Sequence, residues 1–384
     1  MSDSTKIDFL YLNEKEVIEA GVLDGKKCVD CMSEVMALLS AGDYRLGGED
    51  ANSHGIFLSF PKESDIKDMP LDAPDRRFMA MPAYLGGRFH LAGQKWYGSN
   101  KENNSKGLPR SILMITLNDV DTGQPVCYMS GNLISAMRTG AVPFVAARYY
   151  IKNAPEILGI IGAGVIGTAS TICALAEYPS IKTIKIKAGS PKSLSARKLK
   201  SYIEKNYPSV EEVHICDTLE EAVKDSDIIC EAVSAKSENE HPFIDEKWLK
   251  PRCVILSSMN LCFDDDFLIN RADLVIDNWK MYTPWLDAEL KKQKEKGKEL
   301  PMGVCGMAYL NLVRKGKLKV EDVPLIGDLV RGVYKPDESS EKPVVIGACG
   351  MPIEDVGLGK EIYETALSKG LGVKLNLWDQ PYLS

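Results

Sequence analysis

The sequence has no long apolar run and no excess of positive charge. No stretch approaches the roughly 18 to 20 apolar residues that a membrane-spanning helix needs, and the first residues lack the charged and apolar regions of a signal peptide. Lys and Arg number 47 against 54 Asp and Glu, so the net charge of −7 provides no global field that attracts a nucleic acid. We therefore expect a cytoplasmic protein that binds neither membranes nor nucleic acids.

Metal and disulfide chemistry is also poorly represented. Four histidines and ten cysteines occur in 384 residues, and the cysteines lack the dense spacing of a disulfide scaffold. The one CxxC pair, Cys28 and Cys31, has no second CxxC to complete a zinc site. Cys28 recurs at helical spacing with Met32, Val35, Met36 and Leu39, which indicates the buried face of a helix. We therefore expect no metal site.

The N-terminal half contains short β-rich runs and then a long helix. The turn signature Asp119–Gly123 predicts a hairpin between the runs Ile112–Leu117 and Pro125–Met129. A helix is predicted from Leu133 to Tyr150, and we expect Pro143 to interrupt it because proline removes a backbone hydrogen bond.

After residue 155 the pattern changes to strands that alternate with helices. This alternation is typical of a parallel sheet with helices on both faces. The chain is also longer than most single domains, which run from about 50 to 250 residues. We therefore predict an α/β protein with a Rossmann-type doubly wound domain at residues 151–350. A mixed α+β domain is expected at residues 1–150, completed by residues 351–384.

A glycine-rich loop follows the first strand of that series. Gly162, Gly164 and Gly167 lie between the apolar strand Ile157–Ile161 and a helix rich in small residues. In a dinucleotide-binding loop, the first glycine allows a tight turn, the second lets the backbone approach the pyrophosphate, and the third permits close helix packing. The amino end of the helix then supplies free N–H groups. The loop therefore predicts that the chain binds NAD(P).

The end of the second strand of this domain lacks an acidic residue. An NAD-preferring site usually places Asp or Glu there to hold the ribose hydroxyls, whereas this sequence has Ala188, followed by Ser190 and Lys192. A carboxylate would repel a 2′-phosphate, and a hydroxyl and a cation would hold one. We therefore predict a preference for NADP(H), with NAD(H) as the alternative.

Five stretches together resemble the ornithine cyclodeaminase and mu-crystallin family over most of the chain. They are Met81-Pro82-Ala83 with the later Lys95, Gly107-Leu108-Pro109, Asp121–Pro125, Arg138–Ala141 and Gly350–Val356. The glycine loop lies at the expected interval between them. The resemblance implies a homodimer in which the N-terminal part and the last helix form a substrate-binding and dimerisation domain.

The same resemblance implies roles for several side chains. Arg45, Lys95 and Arg138 would surround the carboxylate of an amino acid, which guanidinium groups bind in a bidentate way. Lys95 and Asp355 would be the catalytic residues, although a carboxylate near a helix start is also a common cap. Thr139 would donate its hydroxyl to a cofactor phosphate. The residues assigned to the cofactor are Thr139, Gly162, Gly164, Val165, Ile166, Gly167, Ser190, Lys192, Val233, Asn260 and Gly350.

One position departs from the family's cyclodeaminases. An ungapped register places Asn260 where those enzymes carry an aspartate that takes part in the chemistry, and an asparagine amide cannot act as a base. The leading hypothesis is therefore an oxidoreductase acting on the C–N bond of an α-amino or imino acid: an amino acid dehydrogenase, a ketimine reductase or an opine-like dehydrogenase. The alternatives are an ornithine or lysine cyclodeaminase, a redox-neutral lyase with bound NAD, and a non-catalytic NADP-binding protein.

Overall fold

The structure, a computed structural model, describes residues 5–48, 51–190, 192–234, 241–297 and 302–383. Its internal contacts divide the chain into two compact units. Unit 1 consists of Met1–Leu23, Gly42–Ser135 and Met351–Ser384, and unit 2 consists of Asp24–Ala41 and Ala136–Gly350. The predicted domain limits differ from this division because residues 24–41 and 136–150 group with unit 2. The predicted limits stay a prediction.

Unit 1 is built on one mixed sheet. Its strands are β1 (Ile7–Leu12), β2 (Tyr44–Leu46), β3 (Ile56–Ser59), β4 (Arg77–Leu85), β5 (Leu91–Ser99), β6 (Ser111–Asp119), β7 (Pro125–Ser130) and β15 (Val373–Trp378). The strand order is β15-β1-β7-β6-β5-β4-β2, with β3 paired to β4. Only β1 and β7 run parallel among these pairs. Two helices, α1 (Glu14–Glu19) and α10 (Pro352–Lys369), complete the unit.

The predicted hairpin joins β6 to β7. The Asp119 carboxylate accepts hydrogen bonds from the backbone N–H of Thr122 at 2.8 Å and from its hydroxyl at 2.6 Å. Gly123 has a φ of 77°, a left-handed conformation that favours glycine. Alternate residues of β4 and β6 are buried on the face that contacts α10. The turn residues and the alternation therefore fix the same register.

Unit 2 contains a parallel sheet, as the sequence predicts. Its strands are β8 (Ile157–Ile161), β9 (Thr183–Lys187), β10 (Glu212–Cys216), β11 (Ile228–Glu231), β12 (Val254–Ser257), β13 (Asp273–Ile276) and β14 (Val344–Gly347). All seven run parallel in the order β10-β9-β8-β11-β12-β14-β13. The chain moves outward from β8 in one direction and then returns to β11 on its other side. Such a reversal opens a crevice at the carboxyl ends of the strands, where doubly wound proteins bind ligands.

Helices make up most of the rest of unit 2. They are α2 (Gly25–Ala41), α3 (Asn132–Tyr150, from residue 136), α4 (Val165–Glu177), α5 (Leu194–Asn206), α6 (Leu219–Val223), α7 (Trp279–Lys296), α8 (Cys305–Arg314) and α9 (Ile326–Val330). Short 3-10 turns at Lys101–Lys106, Glu246–Trp248 and Val320–Asp322 and a π turn at Phe267–Arg271 occur elsewhere in the chain.

The expected interruption of α3 at Pro143 is wrong, because the helix continues through the proline. All the residues from Ala141 to Ala147, including Pro143, are buried, and Phe144 and Val145 are fully enclosed. Packing of these turns therefore outweighs the loss of one backbone hydrogen bond.

The helix α2 confirms the sequence interpretation of the CxxC pair. Cys28 and Cys31 are both buried on its inner face, and the Asp24 carboxylate accepts the N–H of Lys27 at 3.0 Å. A side chain at Gly25 would collide with the carbonyl oxygen of Ile172 at 2.8 Å, so α2 packs closely on α4. Among the described residues, none of the helices combines the length and the apolar character that crossing a bilayer requires.

Candidate functional site

The two predicted catalytic residues contact each other inside unit 1. Lys95 lies on β5, and its Nζ donates to Asp355 Oδ2 at 2.8 Å and to Ser135 Oγ at 3.1 Å. The Lys95 side chain is 3% exposed and the Asp355 side chain is fully buried. Removing either charge alone from water costs several kcal/mol, so each needs the other.

Local sequence explains how the pair is positioned. Lys95 pairs across the sheet with Met81 on β4 and with Ile115 on β6, both of which are buried. Asp355 lies in the first turn of α10, which begins with Pro352, a residue favoured at the start of a helix. The carboxylate therefore lies where the helix packs on the centre of the sheet.

Arg45 does not lie with Lys95. On β2 it pairs with Tyr84 of β4, whereas Lys95 pairs with Met81 of the same strand. Residues three apart along a strand point to opposite faces, so Arg45 and Lys95 lie on opposite faces of the sheet. The Arg45 guanidinium is exposed and donates to the carbonyl oxygens of Gly42 and Tyr44. Its predicted role in substrate binding stays a prediction without geometric support.

Arg138 and Thr139 are buried in α3. The exposed fractions are 4% for Arg138 and 6% for Thr139. A side chain at the next residue, Gly140, would lie 2.7 Å from the backbone nitrogen of Ser170 on α4. Thr139 therefore belongs to the stretch of α3 that packs against the helix following the glycine loop.

The glycine loop has the geometry that its spacing predicts. Gly162 has a φ of 99°, and a side chain there would lie 2.6 Å from the carbonyl oxygen of Ala232, just after β11. A side chain at Gly167 would lie 1.9 Å from the carbonyl oxygen of Gly162. Gly164 is the N-cap of α4, makes no side-chain cap and faces open space. The next residue, Val165, is 68% exposed, so the amino end of α4 is accessible.

Glu231 organises the loops at the neighbouring carboxyl ends of β11 and β12. Its Oε1 accepts the backbone N–H groups of Val233 at 2.5 Å and Asn260 at 3.1 Å. Its Oε2 accepts the Ser257 hydroxyl at 3.0 Å and the backbone N–H of Met259 at 3.2 Å. The residue is 1% exposed, and this burial raises the pKa of its carboxyl to about 7, although the four hydrogen bonds act to lower the pKa.

The predicted cofactor residues Val233 and Asn260 are thereby linked. The Asn260 amide also donates to the carbonyl oxygen of Val233 at 2.9 Å. Sequence reasoning missed Glu231, although a glutamate closing the apolar run Ile228–Glu231 is a signal of a buried carboxylate with a dedicated role.

A second missed carboxylate positions Gly350. Asp277 follows β13 and is fully buried. It accepts the Tyr282 hydroxyl at 2.8 Å and the N–H of Cys349 at 3.0 Å, and it also bonds the N–H of Gly350. Burial raises the pKa of its carboxyl to about 6. The loop after β14 is therefore anchored to the end of β13.

The end of β9 carries the residues predicted to select the cofactor. Ala188 is buried, whereas Ser190 and Lys192 are exposed, and the Ser190 hydroxyl accepts the N–H of Lys192 at 3.2 Å. The Arg197 guanidinium donates to the carbonyl oxygen of Lys192 at 3.0 Å. A hydroxyl and two cations thus lie together after this strand, and the sequence has no acid from Ala188 to Lys192.

The chain is similar in sequence to curated dehydrogenases and reductases. The N-((2S)-2-amino-2-carboxyethyl)-L-glutamate dehydrogenase of Staphylococcus aureus is 25% identical over 375 residues, which cover 97% of this chain and 99% of that protein. The alanine dehydrogenase of Archaeoglobus fulgidus is 26% identical over 377 residues, with coverages of 97% and 99%. The ketimine reductase mu-crystallin of Rattus norvegicus is 27% identical over 299 residues, with coverages of 76% and 82%.

The fold is shared with solved structures. An archaeal alanine dehydrogenase dimer with bound NAD matches with a TM-score of 0.73 at 24% identity, covering 97% of this chain and all (100%) of that one. The family model of the ornithine cyclodeaminase/mu-crystallin family matches residues 24–370, which confirms the resemblance of the motifs. The chain belongs to the ornithine cyclodeaminase/mu-crystallin family.

Proposed function

We propose that the protein is a cytoplasmic, NADP(H)-preferring oxidoreductase that acts on the C–N bond of an α-amino or imino acid. The observation that carries this proposal is the buried pair of Lys95 and Asp355. A buried ammonium in contact with a buried carboxylate is costly to maintain, and such ionisable pairs are concentrated at functional sites. A purely cofactor-binding protein has no evident need for it.

The residues around the glycine loop fit a dinucleotide. The accessible amino end of α4 would receive the pyrophosphate, since Gly164 leaves open space and the first N–H groups of the helix favour an anion. Ser190 and Lys192 would hold the 2′-phosphate. Val233, Asn260 and Gly350 lie in the loops after β11, β12 and β14 and would line the rest of the crevice.

Hydride transfer to or from the α-carbon of the substrate is the chemistry that a nicotinamide would supply at this site. Lys95 and Arg138 would bind the substrate carboxylate. Asp355 would position the Lys95 side chain through the 2.8 Å contact. Along this contact Lys95 would pass a proton to Asp355 as it takes one from the substrate amine. The chemistry of the relatives supports this assignment, since they are named as alanine dehydrogenase, ketimine reductase and an N-substituted glutamate dehydrogenase.

We also propose that the protein forms a homodimer through unit 1. Edge strands with exposed apolar side chains readily associate with another copy. The exposed apolar residues of the two peripheral strands β3 and β15 are Ile56, Phe57, Leu58, Val373, Leu375, Leu377 and Trp378. The solved archaeal alanine dehydrogenase is a dimer. Light scattering of the purified protein tests this proposal, and a monomer at all concentrations would contradict it.

A substrate panel tests the enzymatic function. The protein is incubated with each of a set of amino acids and oxidised cofactor, and with 2-oxo acids, amines and reduced cofactor, while the absorbance of the reduced nicotinamide is followed. We expect stoichiometric cofactor turnover, faster with NADP(H) than with NAD(H). Conversion of ornithine to proline and ammonia over many turnovers without a net change in reduced cofactor would instead identify a cyclodeaminase.

A further inference from the structure

A cavity of about 160 Å³ lies in unit 2 at the amino ends of the parallel strands. The residues that line it include Tyr150, Lys152, Asp227, Lys250 and Arg252. They belong to the segments that lead into β8, β11 and β12. We call these five residues the basic pocket.

The basic pocket is separate from the cofactor residues. The glycine loop and the loops after β11, β12 and β14 lie at the carboxyl ends of the strands, whereas the basic pocket lies at the opposite edge of the sheet. Strands of four or five residues, at about 3.3 Å per residue, place the two edges about 13–17 Å apart. A ligand in the basic pocket therefore occupies a site of its own.

The basic pocket contains more positive than negative charge. Three cationic side chains, Lys152, Lys250 and Arg252, line the cavity together with one carboxylate, that of Asp227. The Asp227 Oδ2 accepts two backbone N–H groups at the start of β8, both at 2.8 Å, and its Oδ1 pairs with Lys250. The chain as a whole has a net charge of −7, so the positive surplus is local.

Lys152 forms no ion pair within the described part of the chain. Its Nζ donates to the carbonyl oxygen of Glu338 at 3.0 Å, which is a neutral acceptor. Hydrogen bonds from Ser339 lower the pKa of the exposed Asp337, and the charge of Lys152 adds to this shift from farther away. The carboxyl end of α3 favours one cation through the helix dipole, but it does not account for the two cations that precede β12.

The backbone of Arg252 adopts a conformation that is rare for arginine. Its φ is 60°, in the left-handed region, and such positions are concentrated at functional sites. The Arg252 N–H donates to the carbonyl oxygen of Glu341 at 3.1 Å, and Nη1 pairs with the Glu341 carboxylate at 3.0 Å. The other two guanidinium nitrogens make no hydrogen bond to the described residues, and a guanidinium binds an oxyanion through two nitrogens at once.

The size and charge of the cavity limit what it can hold. Pockets that enclose a whole drug-sized ligand have volumes of roughly 300–1,000 Å³, so about 160 Å³ suits a smaller group. A phosphate group has up to two negative charges and several acceptor oxygens, whereas a carboxylate has one charge and two oxygens. Burial raises the pKa of Tyr150, so its hydroxyl keeps its proton and can serve as a further donor.

We propose that the basic pocket binds the phosphate group of a small molecule, either free phosphate or a phosphate monoester, through Lys152 and Arg252. The ligand bridges the segment after α3 and the segment before β12. Because these segments come together only in the folded chain, the ligand stabilises the folded state. The inference is independent of the reaction that the enzyme catalyses.

Calorimetric titrations with inorganic phosphate and with glycerol 1-phosphate test this inference. Ionic strength is held constant with sodium chloride, and saturating NADH and NADPH keep phosphate from the glycine loop. We expect both phosphates to bind and to raise the unfolding temperature. Lys152→Gln should weaken both affinities by about tenfold or more, because it removes a charged donor. Arg252→Lys keeps the charge but loses the planar donor pair, so it should weaken binding less.

Arg314→Gln is the matched control. It makes the same change in charge as Lys152→Gln, but Arg314 pairs with Asp287 and does not line the cavity. Its phosphate affinity should equal that of the wild type. Lys152→Gln should keep the wild-type affinity for the cofactor, because the cofactor residues lie at the opposite edge of the sheet.

The order of the two affinities distinguishes the sources of the phosphate group. Tighter binding of glycerol 1-phosphate supports a phosphorylated metabolite, and tighter binding of inorganic phosphate supports the free ion. Phosphate that binds no more tightly than chloride overturns the inference. An equal loss of phosphate affinity in Lys152→Gln and Arg314→Gln also overturns it, because it would show a general effect of charge. Lys152 is exposed, so its variant should fold, and circular dichroism checks this.

Discussion

The two units each bury a carboxylate among the predicted functional residues, but they satisfy it in different ways. Asp355 in unit 1 contacts the ammonium of Lys95. Glu231 in unit 2 accepts three backbone N–H groups and the Ser257 hydroxyl, and within the described part of the chain it forms no ion pair. An ammonium supplies charge, whereas several fixed N–H groups supply geometry. The first arrangement suits a group that exchanges protons, and the second suits a group that holds two loops in place.

The difference also determines how each carboxylate depends on its surroundings. Hydrogen bonds from neutral groups do not fully replace lost hydration, and the pKa of Glu231 is therefore raised to about 7. Asp277, which has the same kind of neutral partners, has a pKa raised to about 6. Unit 2 thus contains two buried acids whose charge has an energetic cost to folding.

The largest expected effect comes from removing the cation of unit 1. Lys95→Met removes the ammonium that lies 2.8 Å from the buried Asp355 carboxylate, so the free energy of unfolding should fall by about 3–5 kcal/mol. Activity should also fall by at least about tenfold, because the substrate carboxylate loses a partner. Chemical denaturation and steady-state kinetics measure the two effects.

A double variant separates these two roles. Lys95→Met combined with Asp355→Leu removes both charges and should recover most of the lost stability. It should not recover activity. Full activity in either variant would show that the site has been placed wrongly.

Burial of Glu231 in unit 2 should make the free energy of unfolding depend on pH. Its pKa is about 7 in the folded chain against an ordinary value of 4.5 for a glutamate, so the folded protein binds more protons than the unfolded chain between these pH values. The contribution of Glu231 to the free energy of unfolding is then fully present below about pH 4.5 and is lost as the pH rises toward 7, by up to about 1.4 kcal/mol per pH unit. The free energy of unfolding of the wild type should therefore fall relative to that of Glu231→Gln as the pH rises through this window. A wild type that instead gains stability relative to Glu231→Gln contradicts the assignment.

Glu231→Gln also probes the geometry of the loops. Each carboxylate oxygen accepts a backbone N–H, so an amide NH₂ faces a donor whichever way it is turned. This conflict should cost about 1–3 kcal/mol and weaken cofactor binding at pH 8. Ser257→Ala is the control, because it removes one donor and leaves all three N–H groups satisfied. Unchanged cofactor affinity in Glu231→Gln would show that the loops do not need the carboxylate.

The sequence predicted features that depend on local chemistry. The turn residues Asp119–Gly123 predicted the hairpin between β6 and β7, and the glycine loop predicted the tight turn before α4. The expected break at Pro143 was wrong because burial of α3 keeps the helix continuous through the proline. The opposite placement of Arg45 and Lys95 depends on strand register, which the motifs do not contain. Glu231 was missed because its partners lie up to 29 residues away in sequence.

The smallest expected effect concerns cofactor choice in unit 2, where the charges are exposed. Ala188→Asp adds a carboxylate next to Ser190 and Lys192, at the position where an NAD-binding site holds the ribose hydroxyls. Repulsion between two charges about 4 Å apart in water is worth about 1 kcal/mol, so the preference for NADPH over NADH should fall by roughly fivefold. Dissociation constants from quenching of protein fluorescence measure the change, with Lys192→Ala as a variant that should lose phosphate affinity without gaining affinity for NADH. Tighter binding of NADH than NADPH by the wild type would contradict the predicted preference and assign NAD(H) as the cofactor.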